Sequence, residues 1–134
     1  MKRLLILLSV VALNGCAVYD AYMMTGYDSN EYLLITEIRT NANLSKESCD
    51  DARQSRLNAM AISHKTSLFQ NYEEQIPRNK NGANAGIELN KIAQGLKTRY
   101  NDGTPVSPVF CKLKFESIEH SAQTIQHVIG QRPR

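Results

Sequence analysis

Long apolar runs are nearly missing from these 134 residues, and what is missing narrows the classes of protein the chain can form. Leu4 to Leu13 make one apolar stretch and no second follows it. That stretch is too short for a bilayer core that needs roughly 20 apolar residues, so it does not read as a spanning helix. No basic stripe is interleaved with aromatics, and charges of both signs are mixed throughout, which removes the usual footprint of nucleic-acid binding. Gly82-Ala83-Asn84-Ala85-Gly86 lacks the Gly-Lys-Ser/Thr ending of a phosphate loop. No serine stands in a nucleophile elbow, and neither an internal repeat nor a low-complexity segment is found.

What is present begins at the amino terminus. Lys2 and Arg3 form a short basic region, Leu4 to Leu13 an apolar one, and Gly15 places a small residue directly before Cys16, the pattern of a secretory signal with its cleavage point. An apolar residue, Leu13, three places before a cysteine and a small one just before it resemble the lipobox of bacterial lipoproteins, with Asn14 standing where Ala, Ser or Thr is more usual. The resemblance covers residues 1–16 only. It implies diacylglycerol on Cys16, cleavage before that residue and acylation of the new amino terminus. Ala17, in place of the Asp that retains such proteins at the inner membrane, implies the periplasmic face of the outer membrane. Without the resemblance, the same stretch reads as an uncleaved anchor or a buried helix.

Three segments are expected: a signal peptide over 1–15, a lipidated tether over 16–28 and a helical domain over 29–134. Cleavage leaves 119 residues, the size of one ordinary domain. The formal charge falls from +3 to +1 with the loss of Lys2 and Arg3. In the tether, Tyr19, Tyr22 and Tyr27 suit a membrane interface, where the ring is buried and the hydroxyl hydrated. Tyr22, Met23 and Met24 suit docking onto the domain equally well.

Of three cysteines, lipidation of Cys16 leaves Cys49 and Cys111 as a pair, and an oxidising exported compartment permits a disulfide between them. Two buried free thiols are the alternative. Neither cysteine lies in a nucleophile motif.

Helical periodicity dominates the rest. Asp28-Ser29-Asn30-Glu31 has the spacing of a helix cap, and a first helix over 29–41 would bury Leu34, Ile35, Ile38 and Ala42. Asn41 to Ser45 read as a break. A second helix over 46–74 carries Leu57, Met60, Ala61, His64, Leu68 and Tyr72 at steps of three and four, so this stripe is expected to face the core, His64 included. Asp50 and Asp51 suit its first turn, where the helix dipole favours carboxylates. Ile76-Pro77 should end it, and Arg78 to Gly82 should form a loop.

A third helix over 83–100 presents Ile87, Leu89, Ile92, Ala93, Leu96 and Tyr100, with Gly86 and Gly95 weakening it or permitting close packing. Ser107-Pro108 opens a fourth, in which Cys111, Phe115, Ile118, Ala122, Ile125 and Ile129 recur at helical spacing until Gly130. Val109, Cys111, Leu113 and Phe115 also alternate as a strand would. Short polar links favour an all-α antiparallel bundle of about four helices with one disulfide.

Chemistry is sparse. His120 and His127 are seven apart and off the apolar stripe of the last helix, where a metal pair would use a spacing of three or four. Glu73 and Glu74 are adjacent and diverge on a helix, so they do not flank one bond. The tail Gln131-Arg132-Pro133-Arg134 reads as solvated, with anionic lipid or cell wall as its alternative contact. No cofactor, metal or catalytic residue is assigned. The expected function is a non-enzymatic protein-interaction or structural module, held to the membrane through Cys16 and binding an envelope protein or another copy of itself. The alternative is a phage- or plasmid-type inhibitor or exclusion lipoprotein blocking a cell-wall hydrolase or an uptake apparatus.

Overall fold

The computed structural model describes residues 25–134, so Cys16, the signal peptide and the tether up to residue 24 lie outside the described residues. Helix α1, Ser29–Ser45, starts because the Asp28 carboxylate accepts from the amides of Asn30 (2.8 Å) and Glu31 (3.0 Å). It runs through the break expected at Asn41. Asn41 donates its side-chain amide to the Glu37 carbonyl and Ser45 its hydroxyl to the Asn41 carbonyl, so these residues satisfy themselves on the preceding turn instead of leaving the helix.

A turn of 3₁₀ helix, Lys46–Ser48, and residues 49–51 then redirect the chain. Helix α2, Ala52–Gln75, begins at Asp51, whose carboxylate accepts from Arg53 and Gln54 at 2.9 Å each. The turn after α2 places Arg78 at φ 61°, and helix α3, Lys80–Asn101, starts inside the segment expected to be a loop. Ser107 caps helix α4, Pro108–Gly130, by accepting from the Phe110 amide at 3.2 Å. Cap and proline together make residues 109–115 helical, and the strand reading of their alternation does not hold.

The four helices form an antiparallel bundle, α1 packing chiefly on α4 and α2 on α3, with α1 beside α2 and α3 beside α4. Ile35, Ile38, Ile62, Phe69, Leu89, Leu96, Phe115, Ile118 and Ile129 form the core between them. Cys49 and Cys111 are disulfide-bonded, with Cα atoms 5.7 Å apart. Helices α2 and α4 are diagonal in the bundle. The bond forms because Cys49 lies in the link before α2, where that link crosses to the start of α4.

One expected core face is on the outside. Leu57, Met60, Ala61, His64 and Leu68 are exposed, and α2 buries Ser55, Ala59, Ile62, Ser63, Thr66, Phe69 and Glu73 instead. Small hydroxyl residues let α2 approach α3 closely. A β-carbon at Gly86 would stand 3.3 Å from the Gln70 Cα. The polar groups there are satisfied: Thr66 donates to Asn90 Oδ1 (2.9 Å), Asn90 Nδ2 to Gln70 Oε1 (2.7 Å) and Gln94 Nε2 to the Ser67 hydroxyl (2.9 Å). Hydrogen bonding thus lets a face that mixes Ala59, Ile62 and Phe69 with polar residues be the interior one.

Candidate functional site

The end of the bundle where α1 and α3 begin and α2 and α4 finish gathers both described chain ends. Tyr27, assigned to the tether on sequence, packs against the core and donates its amide to the Pro133 carbonyl at 2.8 Å. Thr25 donates its hydroxyl to the Arg78 carbonyl at 2.9 Å. The carboxyl-terminal segment is therefore tied to the bundle, although Gln131, Pro133 and Arg134 remain exposed.

Arg132 shows this most clearly, since its side chain is only 8% exposed. Its Nη1 donates to Glu31 Oε2 at 2.5 Å and its Nη2 to Asn79 Oδ1 at 3.2 Å, while Asn79 Nδ2 donates to Glu73 Oε2 at 2.6 Å. Glu31 therefore does not reach back to complete a capping box. Its carboxylate turns inward, and Asp28 alone caps α1. The Glu31 amide, above all, holds the Asp28 carboxyl below the ordinary range, with the Tyr72 hydroxyl (3.0 Å) adding to it against the opposing effect of burial.

Two carboxylates and one guanidinium would leave a net negative charge in the interior, which is costly. Burial pushes the Glu31 carboxyl up to about 8, and the hydrogen bond and charge of Glu73 act in the same direction against Arg132. Among the described residues Glu31 Oε1 and Glu73 Oε1 have no hydrogen-bond partner, and one proton shared from Glu31 would pair them while making the cluster neutral. The arrangement fastens four chain segments together. Its carboxyls face each other and Arg132, which is the geometry of a structural clasp.

Beside the clasp lies an open groove of about 590 Å³, with Ala85, Ile125, Val128 and Ile129 giving it an apolar wall and Lys80 and Arg132 a basic one. A second hollow of about 610 Å³ brings His120 and His127 to one rim with Tyr32 and Arg39. Both histidines are exposed, as their spacing predicts. Among the described residues no group of three or more His, Cys, Asp or Glu is placed to hold a metal ion, and no helix is long and apolar enough to cross a membrane.

The outer face of α2 carries a row of exposed apolar residues. Leu57 is 51% exposed, Met60 43% and Leu68 50%, and Ala61 and His64 complete the row. At 100° per residue this row lies opposite the buried Ser55, Ala59, Thr66 and Glu73. Sequence periodicity found the stripe and assigned it to the wrong side. Sequence reading placed Glu31 in a helix cap and Arg132 in a basic tail and gave no sign that they meet, because their contact joins residues 101 apart.

No protein-family model, curated protein or solved structure matches the chain.

Proposed function

We propose that the protein is a lipid-anchored, non-enzymatic interaction module of the bacterial outer membrane, facing the periplasm. The reading is carried by the apolar stripe on α2, held outward by a bundle whose core is complete without it. A stripe of this kind is a surface for another protein. The lipobox-like residues ending in Cys16 and the Cys49–Cys111 disulfide support export to an oxidising compartment.

From Cys16 to Thr25 the chain has a reach of at most about 30 Å, so an acyl group on Cys16 would confine the bundle to the membrane surface. Confinement raises effective concentration and lets a small surface suffice. The test is a Cys16→Ser variant compared with the wild type by intact-mass measurement and membrane fractionation. Loss of the lipid mass and release from membranes are expected. An unchanged mass and unchanged fractionation would refute the anchor.

A further inference from the structure

Helix α2 carries a seam that is complementary to itself. Leu57, Ala61, His64 and Leu68 follow at spacings of 4, 3 and 4, the repeat by which two helices interlock along one face. Turning a second copy antiparallel about the midpoint of this row sets each Leu57 against the other copy's Leu68, and each small Ala61 against the other copy's His64. The spacing is symmetric, and the small Ala61 leaves room for the larger His64 of the other copy.

The flanking charges agree with that direction. Arg53, Met60, Ser67 and Glu74 occupy one edge of the seam at intervals of seven, and Arg53 and Glu74 are both exposed. In antiparallel pairing like edges meet, which brings Arg53 of each copy to Glu74 of the other and Met60 to Ser67. On the opposite edge Asn58 meets Lys65, whose charge is already paired with Glu37 at 2.8 Å. Parallel pairing would set Arg53 beside Asn58 and Met60 beside Lys65, with no opposite charges in contact.

We infer that the outer face of α2 binds a second copy of this chain, antiparallel, through Leu57, Ala61, His64 and Leu68 with Arg53–Glu74 pairs at both ends. This rests on the reading above, in which the chain is confined to a membrane. From Leu57 to Leu68 the seam spans about three helical turns, roughly 16 Å, which is small for a stable dimer in free solution. Anchoring supplies the missing concentration. The geometry is compatible with it: antiparallel copies place their amino-terminal ends at opposite poles, so both bundles lie flat on the bilayer. A bundle two helices thick, about 20 Å, is within reach of the tethers.

The test uses the full chain in bacterial membranes, with cysteine cross-linking read on non-reducing gels. Copies carrying Leu57→Cys, co-expressed with copies carrying Leu68→Cys, should give a mixed dimer, whereas Leu57→Cys copies alone should give at least about tenfold less, because their sulfurs would stand about 16 Å apart along the axis. In that cross-linking background, Arg53→Glu and Glu74→Arg should each reduce the dimer several-fold and restore it together. His64→Leu should raise it. All these positions are exposed in the monomer, so helix content and melting temperature should not move.

Dimers between Leu57→Cys copies, or charge reversals that do not compensate, would overturn the antiparallel pairing. Membrane-bound chain with no cross-link in either pairing would overturn self-association while leaving the anchored module standing. Chain absent from membranes would instead refute the anchor, and the same cross-links on concentrated soluble chain would then decide the seam by itself.

Discussion

Glu31 and Arg132 meet inside the protein, Oε2 to Nη1 at 2.5 Å, and so tie the first turn of α1 to the third residue from the carboxyl terminus. Removing the guanidinium leaves two carboxyls facing each other with nothing to balance them. Arg132→Ala is expected to cost about 3–5 kcal/mol, the range for breaking a buried pair by deleting one partner. Urea unfolding of wild type and variant, followed by circular dichroism, measures it. A loss below about 1 kcal/mol would show that the contact behaves as a surface pair does.

Stability should depend on pH through the same cluster. Glu31 titrates near 8 in the folded chain against an ordinary value of 4.5, so between these limits the native state holds a proton that the unfolded state has released. The contribution is complete below about pH 4.5, declines as pH rises and is gone above about 8. Glu31→Gln mimics the protonated side chain and should flatten this decline. Melting temperatures of both proteins at several values between pH 4.5 and 8 provide the check, and equal slopes would exclude Glu31 as the source.

Two glycines of α3 should respond in opposite directions. A β-carbon at Gly82 would collide with the side chains of Asn79 and Glu73, and these cannot move without breaking the clasp. Gly82→Ala should therefore destabilise by about 1–3 kcal/mol, as overpacking does. Gly95 faces open space within the helix, and Gly95→Ala should stabilise by about 0.5–1 kcal/mol. Chemical denaturation of the two variants compares them directly.

The disulfide closes a loop between residues 62 apart, and replacing both cysteines with alanine should lower stability by about 2–5 kcal/mol. Helix content should survive, because the caps at Asp28, Asp51 and Ser107 are independent of the bond. A melt of the double variant, recorded by far-ultraviolet circular dichroism, reports both quantities.

Local chemistry was legible in the residue order wherever one turn of helix decides the outcome. Asp28 and Ser107-Pro108 are caps by residue type, the Cys111 to Ile129 spacing places α4 against the core, and pairing Cys49 with Cys111 followed from counting cysteines. For α1 the apolar period likewise identified Ile35, Ile38 and Ala42 as buried. Helix α2 had two rival faces, and hydrophobicity chose the wrong one. Its buried face holds only two large apolar residues, Ile62 and Phe69, among Ser55, Ala59, Ser63, Thr66 and Glu73, and burial of the hydroxyls is favourable only once Asn90, Gln94 and the close approach at Gly86 are in place across α3.

The one-dimensional order of residues by itself determined that the chain is helical and where the first and last helices start, because those depend on neighbours within a few positions, whereas the second helix, expected from residue 46, starts at Ala52 and the third at Lys80. Only the tertiary structure decided which side of α2 meets water and that Glu31, Glu73 and Arg132 share an interior site. Charges separated by dozens of residues acquire their energies from burial and from each other, and neither quantity exists until the helices have packed.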